Sequence, residues 1–493
     1  MQLAHLIASL DVHSTTGVED TPAIEGIAFD SRKVRANYLF VAIPGTQVDG
    51  HKFISRAVHA GAVAIVVQAD LIGTLPEDFD RTAVIAVPDT ASALARLAAT
   101  WYENPSRDIK LVGITGTNGK TTVATLLHHL FTNLGYTAGL LSTVEIRIGT
   151  EVRAATHTTP DALSIQATLA EMRDAGVDYA FMEVSSHAVH QKRTEALLFT
   201  GGVFTNLSHD HLDYHGTLAN YLKAKKAFFD QLPEDSFALT NADDRNGRVM
   251  LQNTAASRHE YSLRGMAEFR ARLLNDSPEG IQLDIDGTDV FFKLIGRFNA
   301  YNLLAIYGTA LLLGEGRQDV LVILSSLPGP SGRMERVPDP TGKGTFLVDY
   351  AHTPDALENV LNTLRQTLPD GKRLFCVVGA GGDRDRSKRP EMAAIAARLC
   401  DSVILTSDNP RSEDPEAILD EMEAGVAPEY RHRVLRITDR RQAIRAAIMH
   451  GSNDVVLVAG KGHETYQEIK GVRTPFDDRT EIANVLKQLA DVD

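Results

Sequence analysis

The chain has 493 residues, which at about 150 residues per domain predicts about three domains. Its 50 Lys and Arg residues against 64 Asp and Glu residues give a formal net charge of -14, which argues against a general surface for nucleic acid or anionic membranes. The two cysteines, Cys376 and Cys400, lie in apolar segments and indicate core thiols, not a disulfide framework or a metal site. Because neither a basic leader nor an apolar run of about 20 residues is apparent, we expect a cytoplasmic protein without a membrane span.

The first segment, residues 1–103, alternates short apolar strands with helices and predicts a small N-terminal α/β domain. Its clearest elements are expected as strands at 38–43 and 62–67 and as helices at 51–60 and 90–102. The helix-breaking run Asn104-Pro105-Ser106 is the predicted linker to the next domain.

The remaining chain divides at the Pro- and Gly-rich run 328–332 into a central segment, 104–331, and a C-terminal segment, 332–493. The central segment has expected strands at 109–114, 179–184, 202–207 and 237–241. The C-terminal segment has expected strands at 346–350, 374–378, 402–406, 434–437 and 455–458. We therefore predict a central P-loop ATPase-like domain with a mainly parallel sheet and a C-terminal Rossmann-like domain.

The glycine-rich turn 113–122 is the most informative stretch, because it joins a predicted strand to a run with helical apolar spacing. Backbone amides of such a turn meet an anion at a helix N-terminus. We predict a nucleotide phosphate site in which Lys120 meets the terminal phosphates and Thr121 binds magnesium. The glycine spacing departs from the general G-x-x-x-x-G-K-[ST] pattern, because Ile114 stands where the first glycine is expected.

Polar residues also follow two further predicted strands, where open α/β sheets gather their ligands. Glu183 follows the apolar residues of one strand, and His211 lies shortly after another. Both are candidate magnesium ligands, and the carboxylate is the favoured one. A zinc site at His209 and His211 is the alternative, which the phosphate loop and the absence of nearby cysteines disfavour.

Five motifs occur in the order typical of the Mur ligase family, which the chain resembles over all three segments. They are Thr115-Gly116-Thr117-Asn118-Gly119-Lys120-Thr121-Thr122, Glu183-Val184-Ser185-Ser186-His187, His209-Asp210-His211-Leu212-Asp213-Tyr214-His215-Gly216, Gly296-Arg297-Phe298-Asn299-Ala300-Tyr301-Asn302 and Asp349-Tyr350-Ala351-His352-Thr353-Pro354. The unusual glycine spacing is that family's own form. The resemblance implies an ATP-dependent ligase that adds meso-2,6-diaminopimelate to UDP-N-acetylmuramoyl-L-alanyl-D-glutamate through an acyl phosphate, a step of peptidoglycan synthesis.

The resemblance also implies a role for each domain and for individual residues. The N-terminal domain is expected to hold the uridine diphosphate at Phe29, Ser31, Thr46, Gln47 and Val48. The muramoyl dipeptide is expected at Thr158, Thr159, Ser185, Gln191 and Arg193. The nucleotide is expected at Gly116, Thr117, Asn118, Gly119, Lys120, Thr121, Thr122, Asn302, Arg333 and Asp349. The implied catalytic residues are Lys120, Glu183, His211 and Lys225, and the implied magnesium ligands are Thr121, Glu183, His211 and a carbamate on Lys225.

Lys225 lies four residues after Tyr221, at the position that matches the carboxylated lysine, N6-carboxylysine, of such enzymes. A neutral lysine amine can capture carbon dioxide and so become an anionic metal ligand. Without the resemblance, a lysine in the Lys-Ala-Lys-Lys run would be interpreted as solvated surface.

The C-terminal domain is expected to bind the incoming amino acid. The implied residues are Arg389, Asp408, Asn409, Pro410, Arg411, Gly460 and Glu464. An arginine fork binds a carboxylate and a glutamate holds an ammonium, so the set suits the distal end of diaminopimelate. Lysine lacks that distal carboxylate.

Two alternatives stay open at this stage. A folylpolyglutamate synthase shares the phosphate loop and the amide-forming chemistry, although the uridine-site resemblance and the Asp-Asn-Pro-Arg run argue against it. A nucleotide-dependent switch or motor is the rival from another class, but the chain has no Asn-Lys-x-Asp signature. We expect a monomer whose partners are small-molecule substrates and not nucleic acid.

Overall fold

The computed structural model describes residues 1–17, 22–45, 48–74, 82–155, 157–208, 210 and 212–490, with only the backbone described at 212 and 213. The chain forms two compact units, Met1–Glu260 and Tyr261–Asp493. Both mix helices with mainly parallel sheets, so the predicted α/β class is confirmed. Among the described residues, no helix is both long and apolar enough to cross a membrane.

The first unit begins with a five-stranded sheet of order β1-β5-β4-β3-β2, parallel except for β1. Its elements are α1 (Leu3–Ile7), β1 (Ser14–Thr16), β2 (Gly26–Ala28), β3 (Tyr38–Val41), α2 (Ile54–His59), β4 (Ala62–Gln68), β5 (Ala83–Val87) and α3 (Thr90–Trp101). Helix α3 begins where the Asp89 carboxylate accepts hydrogen bonds from the amides of Ala91 and Ser92, which satisfies donors that a helix N-terminus leaves unpaired. The predicted helix at 51–60 is a 3-10 turn, Gly50–Phe53, followed by the short α2.

The rest of the first unit is a second sheet in which β12, β11, β6, β10 and β7 run parallel, and β8 and β9 add an antiparallel edge. Its elements are β6 (Lys110–Thr115), α4 (Lys120–Asn133), β7 (Ala138–Leu141), β8 (Glu145–Ile148), β9 (Glu151–Ala154), α5 (Ala162–Asp174), β10 (Tyr179–Glu183), α6 (Ser186–His190), β11 (Gly201–Phe204), α7 (Leu212–His215), α8 (Leu218–Asp230), β12 (Phe237–Asn241) and α9 (Gly247–Met250). In register, Glu183 pairs with Ile114 and Phe204 with Thr115. Strands β6, β10 and β11 therefore end at the same edge of the sheet.

Strand β13 (Ser257–Ser262) leads into the second unit, which opens with the antiparallel strands β14 (Phe269–Ser277), β15 (Gly280–Ile285) and β16 (Thr288–Phe292). The sequence analysis did not predict these strands, although β14 begins with alternating buried and exposed residues, the pattern of a half-buried strand. Helices α10 (Arg297–Leu312) and α11 (Arg317–Ser326) follow.

The second unit ends in a six-stranded sheet of order β17-β18-β22-β19-β20-β21, parallel except for β17. Its elements are β17 (Glu335–Val337), β18 (Thr345–Asp349), α12 (Pro354–Gln366), β19 (Leu374–Val378), α13 (Lys388–Leu399), β20 (Ser402–Leu405), α14 (Pro415–Glu423), β21 (Val434–Arg436), α15 (Arg440–His450), β22 (Val455–Ala459), the hairpin β23 (Tyr466–Ile469) and β24 (Val472–Pro475), and α16 (Asp478–Ala490). Asp349 pairs with Ala459 in register, so the loops after these parallel strands leave from one edge. Cys376 and Cys400 are buried free thiols, as predicted.

Candidate active site

The phosphate loop runs from the end of β6 to the start of α4 and depends on two glycines with positive φ. Gly119 precedes α4 at φ 88°, and Gly116 has φ 150°. A Cβ at Gly116 would also collide with the hydroxyl of Thr205. Only glycine therefore suits this backbone path, and α4 begins without a side-chain cap at its N-terminus. Such a terminus is a ready site for a phosphate.

Residues after β11 clamp the loop from the neighbouring strand. The amide of Thr117 donates to the carbonyl of Asn206 at 2.8 Å, and the amide of Asn118 donates to the side-chain oxygen of Asn206 at 3.0 Å. The Thr205 hydroxyl donates to the Asn118 carbonyl at 2.6 Å. The amides of Thr117 and Asn118 are thus already bonded within the protein, which differs from the predicted cradle. The amides at the uncapped start of α4 are therefore the candidate donors to a phosphate.

Two lysines converge on the carbonyl oxygen of Gly116. The Nζ of Lys120 lies 2.9 Å from it and also donates to the Thr117 carbonyl at 2.8 Å. The Nζ of Lys225 on α8 donates to the same Gly116 oxygen at 2.8 Å. Lys225 is buried, at 1% exposure. Burial, together with the ammonium of Lys120, holds the pKa of Lys225 well below its usual value.

Glu183 supplies the carboxylate at this edge of the sheet and is fully buried. Its Oε1 accepts a hydrogen bond from the amide of Thr143 at 2.7 Å, whereas its buried Oε2 has no hydrogen-bond partner among the described residues. A buried carboxylate oxygen without a donor fits a hard cation such as Mg²⁺. His211 and His209 lie outside the described residues, and within the described part of the chain no three His, Cys, Asp or Glu side chains cluster as a metal site.

A cavity of about 1000 Å³ lies in the first unit and contains five of the predicted substrate residues in its lining. These are Phe29, Ser31, Val48, Gln191 and Arg193. Thr46 and Gln47 lie outside the described residues. Thr159, another predicted dipeptide residue, is bonded to a residue that lines the cavity. Arg193 donates to its carbonyl at 2.7 Å, and its hydroxyl donates to the Glu183 carbonyl at 2.8 Å.

Thr158 and Ser185 have structural partners in the same region. The Thr143 hydroxyl donates to the hydroxyl of Thr158 at 3.1 Å, and the hydroxyl of Ser185 caps α6 by accepting from the amide of Ala188. Ser185 thereby holds the start of the helix that carries residues toward the cavity.

The cavity also contains residues that the sequence analysis missed. Tyr214 lines it and places its hydroxyl 2.9 Å from Nδ1 of His190 and 3.0 Å from Nε2 of Gln191. Arg56 adds positive charge to the wall, which suits an anionic diphosphate, whereas Arg32 pairs there with the carboxylate of Asp30 at 2.7 Å. Tyr214 stands inside the quoted His-Asp-His-Leu-Asp-Tyr motif, so a signal for it existed; the two arginines had none.

The predicted nucleotide residues of the second unit have well-defined partners. Asp349 ends β18 and accepts from the amides of Met334 at 2.7 Å and Ala351 at 2.8 Å. Burial raises the pKa of Asp349, while the Arg333 guanidinium and the two amides oppose the shift. Arg333 lies over the ring of Tyr350, 4.9 Å from its centre. The side chain of Asn302 on α10 donates to Asn299 at 2.8 Å.

The predicted acceptor residues gather after β20 and β22. Asn409 donates to Oε2 of Glu464 at 2.8 Å, and Gly460 stands against Asp408, where a Cβ would come within 2.7 Å of a carboxylate oxygen. Pro410 precedes Arg411, whose backbone has φ 52° and whose Nη1 donates to the Gly382 carbonyl at 2.6 Å. The structure therefore brings Asp408, Asn409 and Glu464 together.

Arg389 is predicted to contact the acceptor, and carboxylates of the protein surround its guanidinium. One Nη lies 2.9 Å from Glu413 and 2.8 Å from Glu421, and the other lies 2.7 Å from Glu413. A nearly fully buried guanidinium, at 1% exposure, needs such carboxylate partners to offset its desolvation. The contact of Arg389 with a ligand carboxylate stays a prediction.

Comparison with known proteins agrees with this architecture. The Mur ligase family catalytic domain matches residues 23–102, the Mur ligase middle domain 114–310, and the Mur ligase glutamate ligase domain 332–462. The chain belongs to the Mur ligase family, so the predicted family and ligase class are confirmed.

Individual relatives extend over the whole chain. The UDP-N-acetylmuramoyl-L-alanyl-D-glutamate--2,6-diaminopimelate ligase of Cytophaga hutchinsonii is 51% identical over 99% of this chain and 100% of its own. The enzyme of the same name from Parabacteroides distasonis is 52% identical over 98% of this chain and 99% of its own. A solved structure with that enzyme name is 33% identical, covers 95% of each chain and has a TM-score of 0.68.

Proposed function

We propose that the protein is an ATP-dependent ligase that joins meso-2,6-diaminopimelate to UDP-N-acetylmuramoyl-L-alanyl-D-glutamate in peptidoglycan synthesis. The observation that carries this proposal is the identity of about half over the full chain to enzymes of that name. The phosphate loop and the Asp408-Asn409-Glu464 cluster support it independently.

The reaction forms an amide in two displacements. A carboxylate oxygen of the dipeptide attacks the γ-phosphorus of ATP, and ADP leaves. The amine nitrogen of diaminopimelate then attacks the acyl carbon, loses a proton, and phosphate leaves. Lys120 and the amides at the start of α4 stabilise negative charge on the phosphates during both steps, so positioning and electrostatics dominate.

The residues that would hold magnesium are Glu183 through its Oε2, Thr121, His211 and the carbamate on Lys225. When bound, the ion neutralises charge on the phosphate oxygens. Glu183 itself is held in place by the Thr143 amide, so its second oxygen has a defined direction.

Lys225 carries a carbamate in this proposal. Its burial and lowered pKa support a neutral amine, which is the form that captures carbon dioxide. The product is an anion, which would form a pair of opposite charge with the neighbouring ammonium of Lys120.

The cavity of the first unit would hold the UDP-muramoyl dipeptide. Arg193 is fixed by Gln191 and by the Thr159 carbonyl, so its charge is positioned before a ligand arrives. In the second unit, Arg411 would meet the distal carboxylate of diaminopimelate and Glu464 its distal ammonium. Arg389 then stabilises the neighbouring loops through Glu413 and Glu421.

The division into domains at 1–103, 104–331 and 332–493 remains our proposal, and the three family matches fall within these ranges. We also propose that the protein acts as a monomer in the cytoplasm, where ATP is available. Light scattering of the purified protein measures its molar mass and is expected to give that of a monomer.

An omission assay tests the function. Purified protein is expected to form ADP, phosphate and UDP-muramoyl tripeptide, detected by mass spectrometry, only when ATP, magnesium, the UDP-dipeptide and diaminopimelate are all present. Phosphate release without either substrate would instead support a nucleotide-dependent switch. Amide formation on a folate with glutamate, but not on the UDP-dipeptide, would support a folylpolyglutamate synthase.

A further inference from the structure

Lys461 is a buried cation among the acceptor residues that the sequence analysis did not assign a role. Its side chain has no exposed surface. Its Nζ lies 3.0 Å from Oδ1 of Asn409, 3.3 Å from Oε2 of Glu464 and 3.6 Å from Oδ1 of Asp408. An ammonium has three N–H donors, and here three side-chain oxygens surround it.

Asn409 links the members of this cluster and has only one orientation that satisfies it. Its Oδ1 accepts from Lys461 and from the amide of Glu468 at 2.9 Å, while its Nδ2 donates to Glu464 at 2.8 Å. Both donors of the cluster thus point at Oε2 of Glu464. Among the described residues, the other oxygen of Glu464, Oε1, accepts no hydrogen bond, and 18% of the side chain is exposed.

The formal charges of the cluster sum to one net negative charge. Lys461 contributes one positive charge, whereas Asp408 and Glu464 contribute two negative charges. The nearby Arg440 does not change this balance, because it forms a fully buried ion pair with Asp478 at 2.7 Å. A ligand with an ammonium group would complete the charge balance in this partly dehydrated place.

We propose that Lys461 is a positioning residue for the acceptor: it fixes Glu464 so that Oε1 receives the distal ammonium. This inference rests on the proposed function and names the feature of the acceptor that the cluster selects. Without Lys461, Asp408 and Glu464 repel each other, and Glu464 loses one of the two donors that orient it. The pocket then loses its preference for an acceptor with a distal ammonium.

A comparison of two acceptors distinguishes a positioning role of Lys461 from a general loss of folding or activity. Meso-diaminopimelate carries the distal ammonium, whereas 2-aminopimelate has the same carbon chain and distal carboxylate without it. We expect wild type to favour diaminopimelate in kcat/KM by about tenfold or more. Lys461→Met is expected to lose most of this preference, with the KM of ATP changed less than about twofold.

Three variants complete the experiment. Lys461→Arg keeps the charge and is expected to retain part of the preference, and the exposed Lys487→Met serves as the matched control with wild-type selectivity. In a Glu464→Gln background, Lys461→Met is expected to change the preference little, because the group that it positions is already altered. If Lys461→Met alone does not fold, Lys461→Arg takes its place in the cycle, and its partial loss of preference is expected to disappear in the Glu464→Gln background.

A Lys461→Met enzyme that folds and still discriminates like wild type would overturn the inference, as would additive effects in the cycle. These results are distinct from failure of the proposed function. If wild type forms no product with diaminopimelate, the function is wrong; if it does so and only the selectivity result fails, the role of Lys461 alone is wrong.

Discussion

The phosphate-loop edge of the first unit and the acceptor loops of the second unit both contain buried or half-buried lysines or arginines, but these have different hydrogen-bond partners. Lys120 and Lys225 donate to the backbone carbonyl of Gly116. Lys461 and Arg389 lie against carboxylates. A carbonyl oxygen accepts from an ammonium or from a neutral amine, whereas a carboxylate forms an ion pair with the cation.

This difference corresponds to the charge of the ligand that each region is proposed to bind. An ammonium at the phosphate loop, such as that of Lys120, favours a polyphosphate anion. A nearly balanced network instead holds loops in place and leaves a small charge difference for an amino acid that bears both an ammonium and a carboxylate. Removing a charge from the first region should therefore impair chemistry, and removing one from the second should impair folding or acceptor binding.

The largest expected effect is on stability in the second unit. Arg440→Met removes one member of the fully buried Arg440–Asp478 pair, which leaves a carboxylate buried without its partner. We expect the free energy of unfolding to fall by about 3–5 kcal/mol, measured by urea denaturation. The matched control is Arg441→Met, whose pair with Glu481 is exposed and is expected to contribute about 0–1 kcal/mol. Equal losses in both variants would contradict the contrast.

The second effect is on chemistry in the first unit. Lys120→Ala removes a preorganised charge from the phosphate loop, and we expect transition-state stabilisation to fall by roughly 3 kcal/mol or more, read as kcat under saturating substrates. Lys110→Ala is the control, because Lys110 stands at the opposite end of β6 and donates to Tyr179. A folded Lys120→Ala enzyme with near-normal turnover would contradict the assignment of Lys120 to the phosphate site.

The third effect distinguishes acceptor binding from nucleotide binding. Arg411→Ala should raise the KM of diaminopimelate by roughly tenfold to hundredfold, since a charge-assisted contact contributes about 1.5 to 3 kcal/mol. The KM of ATP should stay near wild type. L-lysine, which lacks the distal carboxylate, should be a poor acceptor for the wild type for the same reason.

Competition assays with both amino acids measure this effect, with the exposed Arg398→Ala as control. Equal use of lysine and diaminopimelate by the wild type would refute the specificity while leaving the ligase function intact.

The fourth effect, of about the same size as the third, concerns the carbamate. Lys225→Ala should lower activity by about 10- to 100-fold, as loss of a group that holds a metal site commonly does, and a small carboxylate such as formate should restore part of it. Lys223→Ala on the exposed side of α8 is the matched control. Full activity of Lys225→Ala, or no response of the wild type to removal and return of carbon dioxide, would count against the carbamate.

The predicted strand bounds were correct where the whole apolar run pairs within the sheet. They were wrong where the last residues of the run form hydrogen bonds outside the sheet. Strands at 237–241 and 374–378 have the predicted bounds. The predicted strand at 202–207 ends at Phe204, because the residues that follow bond the phosphate loop and, through the amide of Leu207, Asp244. Polar contacts of this kind depend on a loop about 90 residues away and leave no local pattern.

The sequence by itself determined the α/β class, the order of the motifs and the chemistry that each motif can supply, because these depend on residue type and short-range spacing. Only the tertiary structure decided which charges are buried and what they contact. Lys225 stands in a run that suggests surface, yet α8 turns it onto Gly116. Arg389 meets Glu413 and Glu421, and Lys461 meets Asn409, across 24 to 52 residues of sequence. Burial and pairing arise when distant strands end at one edge of a sheet, so no local spacing encodes them.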